Sequence, residues 1–425
     1  MSGGPQTRRW PSHRVAAVGG LLLLLVVLAL LRAFAWPEGA PAAPVDPARW
    51  FDMDAAAADR PFRRGLWALA VAGALIVPAV AVAAAATGGR WRPAVVRLAR
   101  ARPWRAGLIA GAGLGAAMEV ALLAVGGARF AWGRRHGVIV QPAMEWLADR
   151  ALAAAITLVL FAALGAGLAV LLARLPRAWP AVLAAALAAL AVLLVALTPL
   201  LITPLFERTT PLDDASLRAD VLALAERAGV EAGQVRVSDA SARTVAANAR
   251  VAGLGDGRRI VLYDTLVDGF PRDQVRTVVA HELAHVARDH IPRGTLWAAV
   301  LMAPLCLLLS AAVAWRTGTA PPARDAEGCD LVVRRLAVLA AAGAVLALAS
   351  LPLQNGLSRA FEREADRLAV TLTADPAAAI ALQRGLVESS RNVPDPPGWV
   401  VWLFGTHPPA AERVAIALDA GAGAS

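Results

Sequence analysis

The stretch Gln274 to His290, QVRTVVAHELAHVARDH, decides how this chain is read. Val275, Val278, Val279, Leu283 and Val286 recur at helical spacing, and Pro271 precedes them where a helix tolerates proline, at its first turn. The segment is therefore expected to form an amphipathic helix with its apolar face on a core. His281 and His285 are four residues apart and share a face of that helix, so both imidazoles can reach one Zn²⁺. Glu282 lies one residue round, where its carboxylate can take a proton from water at the metal. A third protein ligand is needed, with one position left open for water. The continuation that supplies it within a few residues would place glycine at position 288 and histidine at position 291, but Arg288 and Ile291 stand there. His290, five residues past His285, falls on another face of a continuous helix and is not the expected ligand.

Working outward, residues 204 to 294 are the one long stretch that reads as water-soluble. Asp213 or Asp214 can cap a helix with Leu217, Val221, Leu222, Leu224 and Ala225 on one side. A strand follows at Gln234 to Val237. Asn248 to Leu254, the turn Gly255-Asp256-Gly257 and Arg259 to Tyr263 then read as a hairpin. An edge strand directly before a zinc helix is the order found in zincin folds.

The rest of the chain belongs to a different solvent. Of 425 residues, 58% are hydrophobic and 17% charged, which puts the chain in the membrane class. Seven apolar runs, near residues 15–36, 65–87, 106–127, 151–173, 179–203, 295–315 and 333–354, are long enough to cross a hydrocarbon core of about 30 Å. The first also fits a cleaved signal, with Arg8, Arg9 and Arg14 ahead of it. The net charge of +10 comes from arginine alone, and these residues punctuate the apolar runs instead of forming a patch, which argues against a nucleic-acid partner. Cys306 and Cys329, one in an apolar run and one in a polar loop, support neither a disulfide framework nor a cysteine metal site. Glu119 lies inside the third run, where an ionisable group is costly and marks a candidate for function. Gly111, Gly113 and Gly115 beside it allow close helix approach.

Beyond the last run, Asn355 to Asp366 reads NGLSRAFEREAD. Glu362 and Asp366 share a helix face, which suits a metal ligand and a carboxylate that orients a zinc histidine; a solvated helix face of alternating Glu and Arg fits the same spacing. Glu364 is turned about 200° from Glu362. A Pro-rich break at Val393 to Gly398 precedes a short helix near Ala411 to Leu418, and the end of the chain is expected to be disordered.

Taken together, HExxH, two membrane runs, NxxSRxxExxxD and then His407-Pro408 with Glu412-Arg413 resemble the integral-membrane CAAX prenyl protease 1 family of zinc endopeptidases, whose core is shared by HtpX-like heat-shock proteases. Thr203-Pro204-Leu205-Phe206, Ser241-Ala242-Arg243, Asn248-Ala249 and Tyr263-Asp264-Thr265-Leu266 extend the resemblance from about residue 130 to residue 418. It implies that one Zn²⁺ per chain is held by His281, His285 and Glu362, with Asp366 and Arg359 supporting that set. It also implies that Glu282 and His407 act in catalysis and that Asn248 and Ala249 bind substrate backbone by strand addition. Departures are Ala284, where the family often has glycine, and Val286, where it often has an aromatic residue.

The expected fold is a mainly α, multi-pass transmembrane helical bundle of about seven helices with a small zincin-like α+β catalytic domain. Its parts are a membrane region at 1–203, a catalytic segment at 204–294, two further spans at 295–354, a second catalytic segment at 355–418 and a tail at 419–425. The expected activity is hydrolysis of peptide bonds in membrane-associated or misfolded proteins, with membrane lipid as the other partner. The exclusive use of arginine fits a GC-rich bacterial genome, where prenylated tails are not expected and quality control is the role that remains. A transporter or scaffold with a structural zinc site is the rival reading, which an intact Glu282 opposes. An intramembrane protease would bury HExxH in a span, and Asp273, Arg276 and Arg288 around the motif oppose that. On sidedness, three arginines before the first run and six between Arg90 and Arg105 favour a cytoplasmic N-terminus, against four at 49–64 and four at 129–150. The family resemblance implies instead a cytoplasmic catalytic domain in the cell membrane.

Overall fold

The computed structural model describes residues 12–36, 42–43, 45–253 and 257–422. Seven helices among them are long and apolar enough to cross a membrane. They include α1 (Ser12–Leu30), α2 (Met53–Ala86), α4 (Pro103–Arg135), α5 (Ala143–Arg174) and α6 (Trp179–Leu197), with the short α3 (Gly88–Leu98) between α2 and α4. The chain then passes α7 (Thr203–Phe206) and enters the polar part: β1 (Thr209–Pro211), α8 (Ala215–Arg227), β2 (Gln234–Ser238), β3 (Ala249–Ala252), β4 (Arg259–Tyr263), α9 (Asp264–Gly269) and α10 (Arg272–Ala287). The last two spans are α11 (His290–Thr317) and α12 (Ala326–Thr373), followed by α13 (Pro376–Ser389), α14 (Gly398–Phe404) and α15 (Ala410–Ala422).

Glycine decides the closest helix contact in the membrane region. A Cβ on Gly107 would stand 2.2 Å from the Gly165 carbonyl oxygen, and one on Gly111 2.2 Å from that of Phe161. The α4 and α5 backbones approach to a distance that no side chain permits, the arrangement small residues give to helices in lipid. Gly113 faces open space and plays no part in it. Glu119 is paired across the same interface with Arg150 at 2.6 Å, so its charge is answered within the helix pair.

In the polar part the strands run in the order β1-β2-β4-β3, with β2 parallel to β4 and β3 antiparallel to it. The turn residues Gly255 and Asp256 of the expected hairpin lie outside the described residues, but its two arms pair in register, Ala249 opposite Leu262 and Ala252 opposite Arg259. Asp214 caps α8 by accepting from the Leu217 amide at 2.9 Å. Leu217, Val221 and Leu224 of α8, Ile260 and Leu262 of β4 and Val275, Val279 and Leu283 of α10 form one buried core. Full burial of each such side chain contributes about 1.5–3 kcal/mol, so this core fixes the rotation of α10 about its axis.

Three boundaries differ from the sequence reading. The seventh span and the segment with Glu362 are one helix of 48 residues, which continues through Pro352. Cys329 lies in the first turns of that helix, buried, and not in a loop. The last helix, α15, continues to Ala422 instead of stopping near Leu418.

Candidate active site

With one face of α10 committed to the core, the opposite face meets α12. His281 Nε2 lies 3.1 Å from Glu362 Oε2, His285 Nε2 lies 3.4 Å from Glu362 Oε1, and the two Nε2 atoms are 3.2 Å apart. One ligand atom from each of these residues fits within 4.8 Å, the geometry of a three-ligand metal site. Two imidazole nitrogens and a carboxylate facing one another at these distances can share one cation. Glu362 Oε2 is moreover buried with no hydrogen-bond donor of good geometry. The residues therefore fit a zinc ion, which would leave the cleft side open for water.

The other nitrogen of His281 is also held. Its Nδ1 is 2.9 Å from Asp366 Oδ1, and Arg413 donates to both oxygens of Asp366 at 2.6 and 2.9 Å. Arg363 and Glu412 pair at 2.5 Å and hold α15 to α12 alongside. Without a cation, burial works against a charge on His281, but Asp366 and Glu362 outweigh it and push its imidazole up to about 10. Burial and the charge on His281 push His285 down to about 3. Burial raises Glu282 to about 7 against the attraction of His281, which places it where a proton acceptor and donor works near neutrality.

His407 reaches the same centre, its Nε2 3.4 Å from Glu362 Oε2 and its side chain 57% exposed to the cleft. Asn248 lines that cleft with His281, Glu282 and Arg413, at the start of the edge strand β3. Its Oδ1 accepts from the Ala249 amide at 2.9 Å, and the Ala249 side chain is buried, so Ala249 offers the cleft no side chain. Ser241 donates to Asp264 through both its amide and its hydroxyl, and Thr265 donates to the Ala246 carbonyl, which ties the loop before β3 to α9.

Arg359 does not sit against the cluster. It donates to the carbonyls of Val401 and Gly405 at 2.7 and 2.6 Å, while Asn355 donates to that of Leu403 at 2.6 Å. Its influence passes through the loop that carries His407. Sequence reasoning gave no role to Arg413, although Glu412-Arg413 was visible as part of the motif. It also set His290 aside on the assumption of a continuous helix. That helix ends at Ala287; Asp289 takes φ +52, and α11 starts at His290, which returns against His285 with 2.8 Å between their Nδ1 atoms. Glu364 is not one of the three grouped residues; it meets His290 at 3.2 Å, one residue out from His285.

Known proteins resemble this chain in sequence and in fold. Residues 211–420 match the model of peptidase family M48, and residues 128–208 match that of the CAAX prenyl protease N-terminal region, described as five membrane helices. The chain is 28% identical over 219 residues to the uncharacterized metalloprotease YhfN of Bacillus subtilis, covering 51% of each protein. It is 38% identical over 96 residues to CAAX prenyl protease 1 of Saccharomyces cerevisiae, 22% of this chain and 21% of the yeast one. It is 30% identical to the CAAX prenyl protease 1 homolog of Oryza sativa over 52% of each. The aligned region thus spans at most about half the length of these relatives. A crystal structure of S. mikatae Ste24p shares the fold with a TM-score of 0.71 over 96% of this chain and 99% of that one, at 19% identity. With the CAAX prenyl protease N-terminal and peptidase family M48 models matched one after the other along residues 128–208 and 211–420, this chain belongs to the CAAX prenyl protease-like family of membrane metalloproteases.

Proposed function

We propose that the chain is a zinc endopeptidase with one Zn²⁺ held by His281, His285 and Glu362. The observation that carries this reading is the convergence of the three ligand atoms within 4.8 Å beside a half-buried Glu282 that burial pushes up to about 7. Zinc, when bound, supplies Lewis acidity toward a peptide carbonyl. Glu282 takes the proton of the attacking water and returns it to the leaving amine. Asp366, fixed by Arg413, holds His281 in the tautomer that turns Nε2 to the metal. His407 stands where a donor meets the oxygen that becomes charged during attack. Asn248 and the backbone beside Ala249 at the edge strand align an extended substrate by strand addition.

The substrates that suit this site are extended segments of membrane-associated or misfolded proteins, presented where the spans end. Some relatives are named for prenylated CAAX tails; Ala284 and Val286 in place of glycine and an aromatic residue weigh against carrying that specificity over. The catalytic part is assigned to the cytoplasmic face of the cell membrane, with lipid around the spans. The test is the Glu282→Gln variant of detergent-purified protein. It is expected to abolish peptide hydrolysis while keeping about one zinc per chain. Loss of metal in that variant would make Glu282 a ligand and overturn the assignment, as would wild-type protein whose hydrolysis survives a zinc chelator.

A further inference from the structure

The two histidines of the cluster are supported differently. His281 has the Asp366 carboxylate at its Nδ1, whereas among the described residues His285 has no carboxylate there. Its Nδ1 faces His290 Nδ1 at 2.8 Å, and His290 Nε2 lies 3.2 Å from Glu364 Oε2. Two imidazole nitrogens at that distance share one hydrogen, one donating and the other accepting. The direction follows from the far side of the ring. His285 Nε2 points into the space it shares with His281 Nε2 and Glu362, so it must present a lone pair there and its hydrogen sits on Nδ1. His290 Nδ1 is then the acceptor, its own hydrogen is on Nε2, and that hydrogen goes to Glu364.

The parts are built to hold this line still. The His290 side chain is 3% exposed and stacks on Phe361, with centroids 4.5 Å apart and 21° between planes. Glu364 is flanked by Arg288 at 3.5 Å and Arg293 at 3.4 Å, which keep a negative charge where the Nε2 hydrogen points. The left-handed residue Asp289 makes the turn that brings His290 back over His285. His290 is not itself a ligand, because the nitrogen nearest the cluster is spent on His285.

We infer that His290 is a positioning residue that fixes the tautomer and ring orientation of His285, and that Glu364 in turn fixes His290. The inference rests on the zinc reading above and concerns how the chain prepares that site. It is tested on the full chain in detergent by measuring zinc affinity in competition with a chromogenic chelator, and by the visible absorption of the cobalt-loaded protein. His290→Phe keeps a flat ring against Phe361 but removes the acceptor, and is expected to weaken zinc binding about 10–100-fold and to change the cobalt spectrum. His290→Asn returns an acceptor near the Nδ1 position and is expected to recover most of that loss. Glu364→Ala is expected to weaken binding less than His290→Phe, since it loosens the line one link further out.

If the wild-type chain takes up no zinc, the zinc reading itself fails. If it does and His290→Phe binds equally well, the positioning role alone is wrong. An asparagine variant as impaired as the phenylalanine one would show that His290 serves only packing and would also overturn the role. Should His290→Phe fail to fold, Glu364→Ala decides: unchanged affinity and cobalt spectrum overturn the inference, and a measurable loss of affinity supports it.

Discussion

At the residue scale, the site is a balance of charges that burial alone would not tolerate. Asp366 is buried and Arg413 half-buried; they answer each other, and their pair sits against one nitrogen of His281. In the metal-free protein the imidazole of His281 is pushed up to about 10 and is protonated at neutral pH, while His285 is held down to about 3 and is already neutral. A metal ligand must be unprotonated, so zinc has to displace the proton of His281 but none from His285. The sign follows: affinity rises as pH rises, by about tenfold per unit for one released proton, and levels off as pH approaches about 10. Zinc titrations between pH 6 and 9 check this, with a proton-release measurement in weak buffer. A flat profile would mean that His281 is neutral before the metal arrives. The HExxH spacing was legible in the sequence because four residues make one helical turn, but the protonation state depends on Asp366 and Glu362, which lie about 80 residues further along.

At the element scale, α10 and α12 do most to place the chemistry. The rotation of α10 is set by Val275, Val279 and Leu283, all buried against β4 and α8, and that is why the histidine face cannot turn away. The 48 residues of α12 carry a candidate membrane span and Glu362, the proposed third ligand, on one continuous helix. The α4 and α5 pair is the other element-level constraint. A valine at Gly111 would drive its Cβ toward the Phe161 carbonyl at 2.2 Å, whereas Gly113 has no neighbour within 4 Å. Gly111→Val is therefore expected to lower the thermal midpoint in detergent, and Gly113→Ala to leave it within a degree or two or raise it slightly, since alanine favours helix by about 1 kcal/mol over glycine. Equal midpoints for the two variants would remove the close contact from the account. The sequence pointed to both glycines alike, as small residues in an apolar run; they stand about 200° apart around α4, and only packing decides which of the two faces meets α5.

On the scale of the whole molecule, the motif helix and the ligand helix lie on opposite sides of a two-span insertion. An even number of crossings returns the chain to the face it left, so residues 204–294 and 355–418 occupy one side and can share one metal. Which side this is has opposing sequence signals, arginine counts favouring an outside catalytic part and the family resemblance a cytoplasmic one. Glu231 is exposed in the polar part. A single cysteine placed there, in a variant lacking Cys306 and Cys329, is expected to resist a membrane-impermeant thiol reagent on intact cells and to react after lysis. Efficient labelling of intact cells would move the catalytic part outside.

The sequence by itself determined the local chemistry and the solvent of each part. Periodicity gave seven spans and the amphipathic α10, and the four-residue spacing gave the His281 and His285 pair and the shared face of Glu362 and Asp366. These are properties of one helix or one run, where neighbours in sequence are neighbours in space. What needed the tertiary structure was every relation that turns on a break in regular geometry or on packing between distant segments. The left-handed Asp289 brought His290 onto His285, the α15 contact brought Arg413 onto Asp366, and the fold of the His407 loop drew Arg359 away from the cluster. A helical wheel carries no information past the residue where the helix ends, and no pattern along the chain records which charge will find which partner across some tens of residues.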